Sequence, residues 1–254
     1  MNRAGRFSRL AGGISIGSVR VTAGTLSGVF TDIEDGKPVL VSNWHVFVGD
    51  PGKTPIVQPG QYDGGRDPVD RVGILKRYVP LDGVPTMPWW KRIICFLFGW
   101  LFPEWCKQQK MDNYVDAACA TFAPATEGDR ELVKGVYMDD GSILYPKNTH
   151  PGDNIKTRTV WKVGRTTGYT EGMVIFDNAT VRVWYGTRYY VFKDQIVVRG
   201  TGRPGDSGSP VFLMKGEAPS EDDAFVGLLY AGSTDLFVVC KYKWIKSLLK
   251  VRWE

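Results

Sequence analysis

The sequence predicts an all-β protein. Three observations carry the prediction: thirty glycines and fifteen prolines among 254 residues, short apolar runs bounded by turn residues, and period-two alternation within most of those runs. Only residues 88–106 and 241–252 read as helical.

Residues 13–31 alternate small, polar and β-branched side chains, as in Ser18-Val19-Arg20-Val21, and read as a hairpin whose glycines let backbone approach backbone. Asp35-Gly36 then turns the chain towards the apolar run Val39-Leu40-Val41-Ser42-Asn43-Trp44, which leads to His45. From 50 to 70 the density of Gly, Pro and Asp predicts an irregular surface connection with solvated acids. Strand signals resume at 71–79. Residues 87–106, which include Trp89, Trp90, Phe96, Trp100 and Trp105, are apolar on nearly every side of a helix. Their uninterrupted apolar part, 93–102, is too short to span a bilayer. The insertion therefore either packs back on the strands or presents an aromatic patch to a membrane surface or a partner.

Val115-Asp116-Ala117-Ala118-Cys119-Ala120 reads as a buried strand with one carboxylate in it. Residues 123–148 carry charge and turn signals and read as a connection between two halves. Strands follow at 159–163, 172–176, 180–184, 189–192 and 195–198, and their alternation suits an antiparallel barrel. The apolar runs 211–213, 225–232 and 236–240 continue the sheet. Trp244, Ile245, Leu248, Leu249 and Val251 then recur at helical spacing between lysines, predicting a closing amphipathic helix.

The formal charge of +5 comes from 32 basic and 27 acidic residues that are mostly interspersed. With no cationic block to track phosphates, nucleic-acid binding is not indicated, although the bias suits an anionic membrane surface. Cys95, Cys106, Cys119 and Cys240 show no CxxC spacing, and two histidines are too few for a structural zinc site, so no metal and no cofactor are expected. Cys95 and Cys106 pair if the insertion folds back on itself; Cys119 and Cys240 read as buried thiols. Residues 1–10 hold basic residues without an apolar core behind them, which is not a secretory signal, and the expectation is a cytoplasmic location.

The chemistry concentrates in Gly205-Asp206-Ser207-Gly208-Ser209-Pro210. A serine with glycines two before and one after it can sit on a tight turn, with its hydroxyl exposed and backbone N–H groups converging beside it. Such a nucleophile requires a general base held by a third group. His150 lies beside Pro151-Gly152 in a loop, whereas His45 stands at the end of an apolar strand, so His45 is the base. Asp116 is the orienting acid, because a carboxylate among buried residues needs a partner such as an imidazole; Asp112, among loop residues, is the second candidate.

The order His45, Asp116, Ser207, with GDSGSP around the serine and Val163-Gly164-Arg165-Thr166-Thr167-Gly168-Tyr169 upstream, resembles the chymotrypsin-like serine peptidases, nearest in motif to bacterial alpha-lytic-protease-like members. The resemblance covers roughly residues 15–240. It implies two six-stranded antiparallel β-barrels. The first, 13–122, would carry His45 and Asp116 with the insertion at 85–110; a connection at 123–150 would lead to a second barrel at 151–240 carrying Ser207, and a helix at 241–254.

It further implies that the N–H groups of Gly205 and Ser207 form an oxyanion hole. Arg165 would pair with Asp206, replacing the freshly cut amino terminus of digestive members, since no cleavage sequence such as Ile-Val-Gly-Gly is present. Thr201 would floor the specificity pocket, with Leu229, Tyr230 and Ala231 along the groove. No acid stands at that floor, so the implied activity is endopeptidase cleavage of polypeptides after small or apolar residues. The insertion would border the groove, where it could also act as a lid. A competing expectation is a weak or inactive peptidase-fold binding module docking on a membrane or partner through 88–106. A third is the same chemistry applied to small esters or to the chain itself.

Overall fold

In a computed structural model describing residues 1–83, 94–96, 98, 112–126 and 128–254, the predicted alternation is realised as two closed sheets. After a leading strand β1 (Arg9–Gly12), the first half holds β2 (Ser15–Ser18), β3 (Gly24–Thr25), β4 (Gly28–Asp32), β5 (Pro38–Ser42), β6 (Pro55–Val57), β7 (Arg71–Tyr78) and β8 (Ala118–Phe122). They hydrogen-bond in the order β4-β5-β8-β7-β6-β2-β3. Because only Leu26 and Ser27 separate β3 from β4, the two act as one interrupted strand, and the ring closes with six sides.

The connection is more ordered than its composition suggests. Within it, β9 (Glu131–Tyr137) pairs parallel with β1, and β10 (Ile143–Leu144) pairs antiparallel with β9. The second half contains β11 (Asn148–Thr149), β12 (Thr159–Gly164), β13 (Gly168–Trp184), β14 (Tyr189–Arg199), β15 (Pro210–Leu213), β16 (Ala224–Gly232) and β17 (Leu236–Lys241). The order β16-β15-β12-β13-β14-β17, with β16 also paired to β17, is again a six-sided ring.

Two differences from the sequence reading matter for the site. Residues 172–176 and 180–184 are one strand rather than two, as are 189–192 and 195–198. The turn-forming Asp177-Asn178 is absorbed where the β13–β14 register shifts between Phe176 and Ala179. The result is a long ribbon that reaches beyond the barrel wall. The closing helix is also shorter than its spacing suggests: Tyr242–Trp244 is α-helical, Ile245–Leu249 is a π-turn, and Lys250 adopts a left-handed φ of 58°. The chain then returns as β18 (Val251–Arg252) along β4, where an edge strand offers unpaired backbone groups.

Three apolar clusters result. One fills the first barrel around Leu26, Leu40, Phe47 and Leu75, and another fills the second around Val160, Val198, Leu229 and Phe237. The largest lies between the barrels and joins Phe30, Val41 and Cys119 to Trp161, Phe212, Phe225, Tyr230 and Trp253. There Trp253 stacks on Phe225 at 4.9 Å and Phe30 meets Phe225 edge-on at 5.4 Å. Such pairs add about 0.5–1.5 kcal/mol each beyond the area they bury.

Most of the insertion expected at 85–110, and with it Cys106, lies outside the described residues. Residues 94–96 and 98 are helical, with Phe96 88 % exposed, and Cys95 is disulfide-bonded. Among the described residues no helix is long and apolar enough to cross a membrane. Cys119 and Cys240 are free, buried thiols.

Candidate active site

Antiparallel register brings His45 and Asp116 together. Ser42 pairs with Ala118 across β5 and β8, and continuing that register past the strand ends sets Trp44 opposite Asp116. A turn follows, with Val46 and Phe47 N–H groups donating to Asn43 O, and it swings the His45 ring onto the carboxylate. His45 Nδ1 lies 2.5 Å from Asp116 Oδ2. The other oxygen, Oδ1, accepts the backbone N–H groups of Trp44 at 2.6 Å and His45 at 3.3 Å. The Asp116 side chain is fully buried, while the imidazole is 26 % exposed. With Nδ1 donating to the carboxylate, Nε2 is left as an acceptor.

The loop bearing Ser207 joins β14 to β15 and is held from the first barrel by Thr25. Thr25 N donates to Ser207 O at 2.7 Å, its hydroxyl donates to Gly205 O at 2.8 Å, and its carbonyl accepts the Ser42 hydroxyl. Gly208 has a φ of 94°, and a Cβ there would meet Thr25 O at 2.1 Å and Ser42 Oγ at 2.3 Å, so glycine is required on both counts. Gly24 lies between Ser207 O and Val46, the residue after His45. Gly24 thus links the backbone of Ser207 to the turn that carries His45, without a direct hydrogen bond between the Ser207 and His45 side chains among the described residues. In substrate-free sites such bonds are often long and tighten on binding.

Within the loop, the N–H groups of Asp206, Gly208 and Ser209 are taken by Arg203 O, Leu229 O and Asp206 O. Those of Gly205 and Ser207 have no protein acceptor among the described residues. Two unpaired N–H groups flanking a serine can accept a developing oxyanion.

Asp206 is buried and accepts from Thr166 N, Thr167 N, the Thr167 hydroxyl and Arg203 N, at 2.7–3.0 Å. The expected partner, Arg165, does not pair with it. Its guanidinium grips Asp63 through two bonds and lies over the Tyr62 ring, 5.2 Å from the centroid. The cation beside Asp206 is instead Lys162, with Nζ 3.6 Å from Asp206 Oδ2 and neither side chain exposed. The Arg-Thr-Thr segment supports Asp206 through two backbone N–H groups and the Thr167 hydroxyl, while its arginine reaches the other way, to the turn after β6.

Of the expected specificity residues, Thr201 is part-exposed and donates to Thr234 O at 2.9 Å. Leu229 packs into the second barrel and Tyr230 into the cluster between barrels, so of these three strand residues Ala231 alone is part-exposed. Beside Gly205 opens a cavity of about 400 Å³ lined by Thr22, Ala23, Tyr62, Arg165, Thr166 and Pro204. His150 accepts Gly152 N at 3.1 Å within its own loop, and Asp112 pairs with Lys193. Among the described residues no three His, Cys, Asp or Glu side chains converge to hold a metal ion.

Sequence reasoning passed over Lys162, Asp63 and Tyr185. A lysine inside Val160-Trp161-Lys162-Val163 is itself a signal, since a buried ammonium needs a counter-charge. Nothing local marks Asp63 or Tyr185; Tyr185 reaches Asp116 only because the ribbon is long, and its hydroxyl donates to Oδ2 at 2.5 Å.

No family model matches the sequence, and no curated protein matches it. Solved structures do. Thermobifida fusca protease A is 13 % identical with a TM-score of 0.61, the match covering 96 % of this chain and 97 % of that one. Cellulomonas bogoriensis chymotrypsin is 14 % identical with a TM-score of 0.59, covering 97 % and 98 %. An alpha-lytic protease homolog, N4, is 14 % identical with a TM-score of 0.57, covering 97 % and 100 %. At these identities the likeness shows the fold: the chain has the two-barrel chymotrypsin fold.

Proposed function

We propose that the chain is a serine endopeptidase working through Ser207, His45 and Asp116. The observation that carries the reading is the conjunction of a 2.5 Å His45–Asp116 pair with a serine loop in which the Gly205 and Ser207 N–H groups have no protein acceptor among the described residues. Ser207 Oγ attacks the peptide carbonyl while His45 Nε2 takes its proton, and the same nitrogen later protonates the leaving amine. Asp116 fixes the imidazole tautomer and stabilises the imidazolium. The tetrahedral oxyanion is held by the N–H groups of Gly205 and Ser207, each worth about 3–4 kcal/mol of barrier in comparable sites. Water then hydrolyses the acyl-enzyme by the same proton relay. On this reading Thr201 is assigned to the pocket floor and Ala231 to its edge, and on that assignment small or apolar side chains are preferred before the scissile bond. A fluorophosphonate probe should label Ser207, and labelling should vanish in Ser207→Ala; an unlabelled wild-type chain refutes the assignment.

A second reading is favoured by the exposure of Ile94, Phe96 and Phe98. A fold that spends these side chains on solvent can use them to dock on a membrane surface or protein partner. Co-sedimentation with anionic vesicles tests this, comparing the intact chain with Phe96→Ser/Phe98→Ser; equal pelleting removes the membrane reading.

A further inference from the structure

Resting on the peptidase reading, we propose that Tyr185, delivered by the tip of the β13–β14 ribbon, is a positioning residue for the His45–Asp116 pair. The ribbon stays paired out to Trp184 and Tyr189, and its tip is fixed by Tyr185 N donating to Arg188 O and Thr187 N donating to Tyr185 O. Just below the tip it is tied to the residues flanking the insertion, where Asn113 N donates to Val191 O and Gly83 bridges Tyr190. Tyr185 is thereby held in place by backbone, with its ring 5.2 Å from that of Tyr190 and 6.3 Å from that of Phe192.

From there the residue does two things. Its hydroxyl donates to Asp116 Oδ2, the same oxygen that receives His45 Nδ1. With two backbone N–H groups on Oδ1, the carboxylate accepts four bonds, about its full lone-pair capacity, and cannot rotate without breaking one. The ring also lies 5.1 Å from the imidazole, tilted 40° to it. Burial, reinforced by the Asp116 charge, keeps the phenol well above its usual range, so it remains a donor at neutral pH.

The test is Tyr185→Phe in the full chain, which keeps the ring and removes the hydroxyl. A hydrogen bond to a charged acceptor is worth enough that kcat should fall about 10- to 100-fold on a peptide substrate, with KM within about twofold. The low-field His45 Nδ1 proton should move or exchange faster with water. Tyr185→Ala should fall further, and Tyr189→Phe on the same ribbon should change neither quantity. A wild-type kcat together with an unmoved proton in Tyr185→Phe overturns the proposal. If the wild-type chain cleaves no peptide, the peptidase reading fails by itself, and the imidazole proton alone then decides whether Tyr185 holds the pair.

Discussion

Replacing Lys162 by methionine keeps the length and apolar stem of the side chain and removes its charge. At 3.6 Å from Asp206 Oδ2, with both side chains fully buried, the ammonium attracts the carboxylate by about 4–5 kcal/mol at an effective dielectric constant of about 20. Burial opposes this and outweighs it, pushing Lys162 below the usual lysine range, so the variant also sheds a desolvation cost. Asp206 retains its four other donors. What the variant leaves behind is a buried Asp206 carboxylate with no counter-charge, and with its four donors retained the net loss should be about 2–3 kcal/mol, somewhat under the 3–5 kcal/mol typical of breaking a buried pair. For a chain of this size that is about 5–10 °C in Tm. Thermal unfolding followed by circular dichroism reads the stability, and the rate of fluorophosphonate labelling reads the loop. Arg165→Lys is the comparison: it weakens a pair with Asp63, and labelling should stay within about twofold. If Lys162→Met melted within a degree of wild type and labelled normally while Arg165→Lys abolished labelling, Asp206 would depend on Arg165 after all.

Three further outcomes follow from the packing. In Gly164→Ala the added Cβ would fall 2.3 Å from Asp206 Oδ1; displacing the loop by about 1 Å should slow Ser207 labelling about 100-fold, and a wild-type rate would mean that the loop has room. Trp253→Ala, which removes a ring packed on Phe30, Phe212 and Phe225 and a bond to Pro146 O, should cost about 3–5 kcal/mol in urea unfolding; a loss under 1 kcal/mol would show that β18 is not part of the cooperative fold. Burial raises the Asp32 carboxyl, but Arg77 and Lys76 more than offset it and hold it well below its usual range. Its stabilisation is complete above the unfolded-state value of about 3.9 and is lost as pH falls through the window beneath it. The stability gap between wild type and Asp32→Asn should thus be constant above about pH 5 and narrow towards pH 3, and a constant gap down to pH 3 would exclude the ion pair as its source.

Burial also bears on the thiols. Cys119 is pushed up to about 11 and Cys240 to about 12, so neither should react with iodoacetamide at pH 8 until the chain unfolds. Rapid alkylation of the folded chain, read by mass spectrometry, would show that the barrels open.

The all-β class and the base and acid candidates are legible in the chain because they depend on local pattern. Alternation marks a half-buried strand, and a lone ionisable residue in an apolar run, such as Asp116 between Val115 and Ala117, announces that something must pair with it. Gly205 and Gly208 advertise a tight loop for the same reason: their backbone angles exclude most other residues. Pattern is blind to which remote charge arrives. Arg165 and Lys162 are three residues apart, yet strand direction sends one guanidinium out to Asp63 and buries the other cation beneath Asp206. Strand length is equally hidden, since Asp177-Asn178 looks like a turn until cross-strand pairing absorbs it as a bulge, and only that extra reach brings Tyr185 to Asp116. Side-chain periodicity is a property of neighbours along the chain. The counter-charge of a buried group is a property of neighbours in space, and only the closing of two barrels against each other selects it.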